Sequence, residues 1–230
     1  MADRARVGLE VAWLAVGVGV LPGFILYGLL GFEGDLEQLG SARLAGLIAF
    51  QNLLAIGAIA LFLRLERRGF SYLGFRRGHP GLEAALGFLL FFPILILAGA
   101  FQVALVWAFP SLRTTDENPL LGMIQGPGDL AIFLAISIVI GGLCEETIRA
   151  FVLRRFESHL GGMGAGLVVW SVIFGAWHLN QGWDKAITVA FLGLLLGLLY
   201  AWRRSPVAPV VAHATFDVSM VLIWFLFRPG

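Results

Sequence analysis

Charge is what this chain has least of. Asp, Glu, Lys and Arg make up 13% of its 230 residues, against about 25% in an ordinary soluble domain. With 59% hydrophobic residues and a mean hydropathy of +0.87, too little polar surface remains to cover a globule in water. The bilayer is the expected solvent for most of it. The formal net charge of +1 gives no basic field, which excludes nucleic acid as a partner. A single cysteine, Cys144, excludes an internal disulfide. No His-Glu-x-x-His run marks a zinc peptidase, and no internal repeat of the kind that builds many transporters is visible. No small-residue cleavage site follows the first apolar run, which is therefore expected to stay as a helix. Low-complexity tracts are also missing, so residues 1–230 read as one membrane domain.

What is present is a series of apolar runs. About 20 such residues cross a bilayer core as a helix. By that rule about seven transmembrane helices are expected, near 9–30, 42–63, 82–109, 130–151, 164–179, 186–202 and 207–227. The fold class is all-α, a polytopic membrane helix bundle. Arginine and lysine set its expected orientation. With the N-terminus cytoplasmic, 11 of the 16 Lys and Arg residues fall inside and 4 outside, with Arg149 left within a helix. The run Arg67-Arg-Gly-Phe-Ser-Tyr-Leu-Gly-Phe-Arg-Arg77 reads as an interfacial segment whose basic side chains snorkel. Gly193-Leu-Leu-Leu-Gly197 reads as a close helix–helix contact.

Against this apolar background some residues are out of place. Glu145, Glu146 and Arg149 fall in the fourth run, His178 in the fifth, and His213 with Asp217 in the seventh. Each charge at the centre of a membrane helix costs about 2.5–3.5 kcal/mol on insertion scales, so they must pair or line a wet cavity. Spacing permits pairing: Glu145 and Arg149 are four apart, as are His213 and Asp217, and Phe174 and His178. Glu146, three residues before Arg149, competes for it.

At these residues the sequence resembles the CAAX protease and bacteriocin-processing family, also called the Abi family and akin to type II CAAX prenyl endopeptidases, which are intramembrane glutamic peptidases. That family carries Glu-Glu-x-x-x-Arg, then Phe-x-x-x-His, then His-x-x-x-Asn or Asp, each on a helix. Here the second motif is Phe174-Gly-Ala-Trp-His178 and the third is His213-Ala-Thr-Phe-Asp217. The resemblance covers about 127–220, leaving 1–126 as accessory helices. The first motif departs from the pattern, because two residues rather than three separate Glu146 from Arg149. Either Cys144 and Glu145 fill the two glutamate places, or Glu145 and Glu146 do and Arg149 is displaced by about 100° around the helix. Glu145 is common to both.

The resemblance implies an intramembrane endopeptidase in which Glu145 and His178 activate water and His213 donates a hydrogen bond to the oxyanion. Asp217, an acceptor when ionised, would orient and charge His213 or be protonated itself. Glu146, Arg149, Cys144 and Phe174 would support these four. A carboxylate in low dielectric suits proton exchange near neutral pH. No cofactor is expected; the alternative is zinc on Glu145, His178, His213 and Asp217. Expected partners are membrane lipids and a membrane-associated peptide or protein substrate, prenylated or bacteriocin-like, in a multi-pass protein of a prokaryotic cell membrane. The competing readings are a proton- or ion-coupled transporter and a catalytically silent immunity or scaffold protein.

Overall fold

The computed structural model describes residues 2–17, 39–75, 79–115 and 118–228. Among the described residues every regular element is helical. We number them α1 (Ala2–Ala12), α2 (Ser41–Leu65), α3 (Pro80–Ala108), α4 (Pro127–His159), α5 (Met163–Ala176), α6 (Trp183–Arg203) and α7 (Val207–Phe227).

Five of these, α2, α3, α4, α6 and α7, are long and apolar enough to cross a membrane. Large apolar side chains stand on their outer faces, with Val103 70%, Trp107 85% and Leu226 70% exposed. Apolar area on this scale is stable only against lipid or protein. The chain is an integral, multi-pass membrane protein.

Among the described residues, five of the seven expected runs form helices long enough to span. The run at 9–30 lies largely outside the described residues. The fifth run yields α5, which has only 14 residues, a rise of about 21 Å against a hydrocarbon core of about 30 Å. Hydropathy alone overestimates α5 because its ends are set by backbone breaks. Gly161 and Gly162 take φ of +109° and +94° and separate its start from α4. At the other end a 3₁₀ turn, Leu179–Gln181, follows His178.

The fourth run is longer than its apolar part. It continues past Phe151 to His159 because the charges there are paired: Arg154 and Arg204 both meet Glu157, and Arg155 meets Glu10 and Glu66 at 2.9 Å each. Arg155 is 1% exposed and ties α1, the end of α2 and α4 into one ionic cluster. Beside it lies the main core, where Leu14, Ile59, Phe151, Trp170 and Tyr200 pack together. Elsewhere α7 packs on α3 and on the middle of α4, and α5 packs on α6. The α5–α6 approach is close because Gly193 and Gly197 face α5: a Cβ there would meet Phe174 at 2.9 Å and Leu167 at 2.7 Å.

Candidate active site

The polar residues that the bilayer should exclude meet where α4, α5 and α7 converge. Their placement begins with an irregularity. Residues Ser137–Glu145 of α4 form a π-helix, wider than the α-helical turns before and after it. Such segments recur at functional sites because they bulge a helix locally and re-aim its side chains. Here the π segment ends on Glu145, and α-helical winding resumes at Glu146.

Glu146 is 1% exposed and makes two contacts. It pairs with Arg149 of the next turn, and its Oε1 lies 2.8 Å from His213 Nδ1. The spacing argument had Glu145 as the natural i,i+4 partner of Arg149, with Glu146 a competitor. The structure gives the pair to Glu146, which lies between Arg149 and His213 of α7. Arg149 is itself 1% exposed, and its guanidinium lies 4.6 Å from the centre of the Phe174 ring. Its Nε and Nη2 have no hydrogen-bond partner, so the ring face and Glu146 neutralise the cation between them.

The other end of the His213 ring faces a different environment. Nε2 lies 3.6 Å from Asp217 Oδ2 and 3.9 Å from Glu145 Oε2. The side chains of Asp217 and Glu145 keep 33% and 19% of their exposure, whereas His213 keeps 4%. His213 thus spans a sealed side, Glu146 with Arg149, and a more exposed side, Glu145 with Asp217. An Nδ1–H donated to an ionised Glu146 fixes the ring's orientation and leaves Nε2 as its working end.

His178 joins this group through Phe174. The phenyl ring lies 4.9 Å from the His178 ring and 6.0 Å from that of His213, centre to centre. His178 Nδ1 lies 2.8 Å from the Phe174 carbonyl oxygen, to which an Nδ1–H donates. That leaves its Nε2 free as a hydrogen-bond acceptor. Trp177, the neighbour of His178, donates Nε1–H to the carbonyl of Ala15 at 3.0 Å, which anchors this turn to the π-helical extension of α1.

Of the residues singled out from sequence, Glu145, Glu146, Arg149, His213 and Asp217 are therefore joined by contacts of 3.9 Å or less. Phe174 bridges them to His178. Cys144 is half-buried beside Glu145, and the structure gives it no contact with the His213 ring. Among the described residues, no group of three or more His, Cys, Asp or Glu side chains is arranged to hold a metal ion.

No curated protein and no solved structure matches the chain. A family model does: over residues 127–219, which contain every motif of the site, the chain matches the type II CAAX prenyl endopeptidase Rce1-like family.

Proposed function

We propose that this protein is an intramembrane endopeptidase of the CAAX type, in which carboxylates and histidines activate water without a metal. The carrying observation is the two-sided setting of His213 within the matched segment. A partly exposed pair of carboxyls lies at its Nε2 and a buried, arginine-paired carboxylate at its Nδ1.

The roles follow from exposure and proton inventory. Glu145 is the more exposed of the two glutamates, so it takes the part of general base; Glu146 is sealed, so it takes the part of orienting His213. His178, with a free Nε2, helps hold the attacking water alongside Glu145. Once water has attacked the carbonyl carbon, negative charge grows on the carbonyl oxygen. His213 stabilises it only if Nε2 carries a proton, hence as an imidazolium. Asp217 Oδ2, 3.6 Å from Nε2, is placed to orient that proton. Collapse of the intermediate then needs a proton on the departing amine, which protonated Glu145 returns. The separations of 3.6 and 3.9 Å exceed direct hydrogen bonds and suit a bridging water or substrate atom.

The substrate class in this proposal is a membrane-associated peptide or protein, the prenylated or bacteriocin-type chain implied by the family. The N-terminus is assigned to the cytoplasm on the arginine bias, and the host membrane to a prokaryotic cell. The test is purified protein in detergent micelles, incubated with prenylated and unmodified C-terminal peptides and read by mass spectrometry. New termini from a single internal bond are expected; intact peptides under all conditions would refute the reading.

A further inference from the structure

The site contains a residue that no motif includes. Gly141 lies in the π segment of α4, and a Cβ built on its backbone would stand 2.3 Å from Asp217 Oδ2 and 3.9 Å from His213 Nε2. Its neighbour Gly142 is also close to α7, but it meets the helix body: Ala214 Cβ at 2.8 Å and the Val210 carbonyl oxygen at 3.1 Å. The two glycines thus have different work. Gly142 sets how near the helices come. The three atoms nearest a Cβ at Gly141 all belong to the carboxyl and the imidazole.

The collision at Gly141 is one the protein can relieve locally. Asp217 ends in a rotatable carboxyl with 33% of its side chain exposed. A methyl at 141 needs that oxygen to retreat by about 1 Å to reach normal contact, and the open side of Asp217 gives it somewhere to go. The retreat takes the carboxyl away from the tightest spot in the site, beside His213 Nε2. The charged and titratable groups around that spot are Glu145, Glu146 and Arg149 of α4, Asp217 of α7 and, across Phe174, His178.

We infer that Gly141 is a positioning residue: the space it leaves beside the π-helical backbone is what lets the Asp217 carboxyl rest against the His213 ring. The inference rests on the peptidase reading for its effect on rate, but its geometry is testable without turnover.

The experiment compares Gly141→Ala, Asp217→Ala, the double variant and Gly142→Ala. One readout is peptide cleavage. The other is side-chain NMR of histidine-labelled protein in micelles across pH, with the His213 signal identified by its loss in His213→Asn. Gly141→Ala should lower kcat by about 10–100-fold, the scale of a ~1 Å misplacement, with KM changed less than about twofold. The double variant should be no slower than Asp217→Ala alone, since the glycine acts through that carboxyl. The His213 titration should shift in the same sense in Gly141→Ala and Asp217→Ala, and no further in the double. Gly142→Ala should reduce stability while leaving that titration in place. The inference is overturned if Gly141→Ala titrates like wild type, or if the two changes add. If Gly141→Ala does not fold, the double variant should, because the obstructing oxygen is gone; failure of both makes Gly141 a packing residue only. If wild type cleaves nothing, the peptidase reading fails and the histidine titration still decides the role of Gly141.

Discussion

Replacing Arg149 with alanine removes the cation from a site where Glu146 is 1% exposed. Two losses follow. Glu146 keeps its charge without a counter-ion, and the Phe174 ring loses the guanidinium 4.6 Å from its centre. Breaking a buried ion pair by deleting one partner costs about 3–5 kcal/mol, most of it from the stranded charge. A desolvated cation–π contact of this kind contributes about 2 kcal/mol and overlaps with that figure, so the net expectation stays at about 3–5 kcal/mol. That is a large part of the net stability of an ordinary domain, about 5–15 kcal/mol. The assay is unfolding by SDS in mixed micelles, followed by tryptophan fluorescence from the chain's 7 Trp residues. The double variant Arg149→Met with Glu146→Gln should recover at least about 1 kcal/mol, because no buried charge is left alone. A single variant within about 1 kcal/mol of wild type would show that Glu146 is solvated or protonated, and the proposed sealed side of the site would fail.

Four further outcomes are expected. Arg155→Ala should loosen α1, seen as faster proteolysis before residue 41, because Glu10 and Glu66 lose the buried partner they share, leaving only the more exposed Arg6 between them; unchanged cleavage kinetics would contradict the clamp. Glu66 lies just beyond α2: burial pushes its carboxyl upward, but hydrogen bonding and charge from Arg155, with Arg6 and Arg68, hold it below the ordinary value. Its contribution to stability is therefore full above about pH 4.3 and lost as pH falls through the lower folded value, so wild type should lose more stability than Glu66→Gln between pH 5 and 3, and parallel curves would refute this. Cysteines at 67–77 and 203–204 should label from the cytoplasm and those at 33–37 from the other side; the reverse would overturn the orientation. Prolonged EDTA dialysis should leave peptide cleavage intact, whereas loss restored by zinc would replace the metal-free proposal.

Sequence and structure part company at specific places. Hydropathy found the spanning helices because bilayer thickness imposes a length on them, and the same logic marked Glu145, Glu146, Arg149, His178, His213 and Asp217 as out of place. Those residues do gather around one another. Counting residues from the helix ends at 1.5 Å per residue places His178 about 8 Å deeper than Glu145. That count assumes parallel helices that start at one level, yet contacts through Phe174 bring the His178 and His213 rings to the same site. The partner of Arg149 was equally hidden, since i,i+3 and i,i+4 both lie on one helix face and only the position of α7 chooses between them. Gly141 left no signal, because a glycine that packs helices and one that admits a carboxyl look alike in sequence.

The central claim is that Glu145, the more exposed glutamate beside His213, performs the chemistry while Glu146 orients the ring. Initial rates of peptide cleavage by wild type, Glu145→Gln and Glu146→Gln, measured on folded protein in the same micelles, test it most directly. Glu145→Gln keeps the shape of the side chain but removes its basicity, so its rate should fall by about 10²–10⁴-fold with little change in unfolding. Glu146→Gln should retain more activity and lose more stability. A Glu145→Gln protein that cleaves at the wild-type rate, beside an inactive Glu146→Gln, would contradict the assignment.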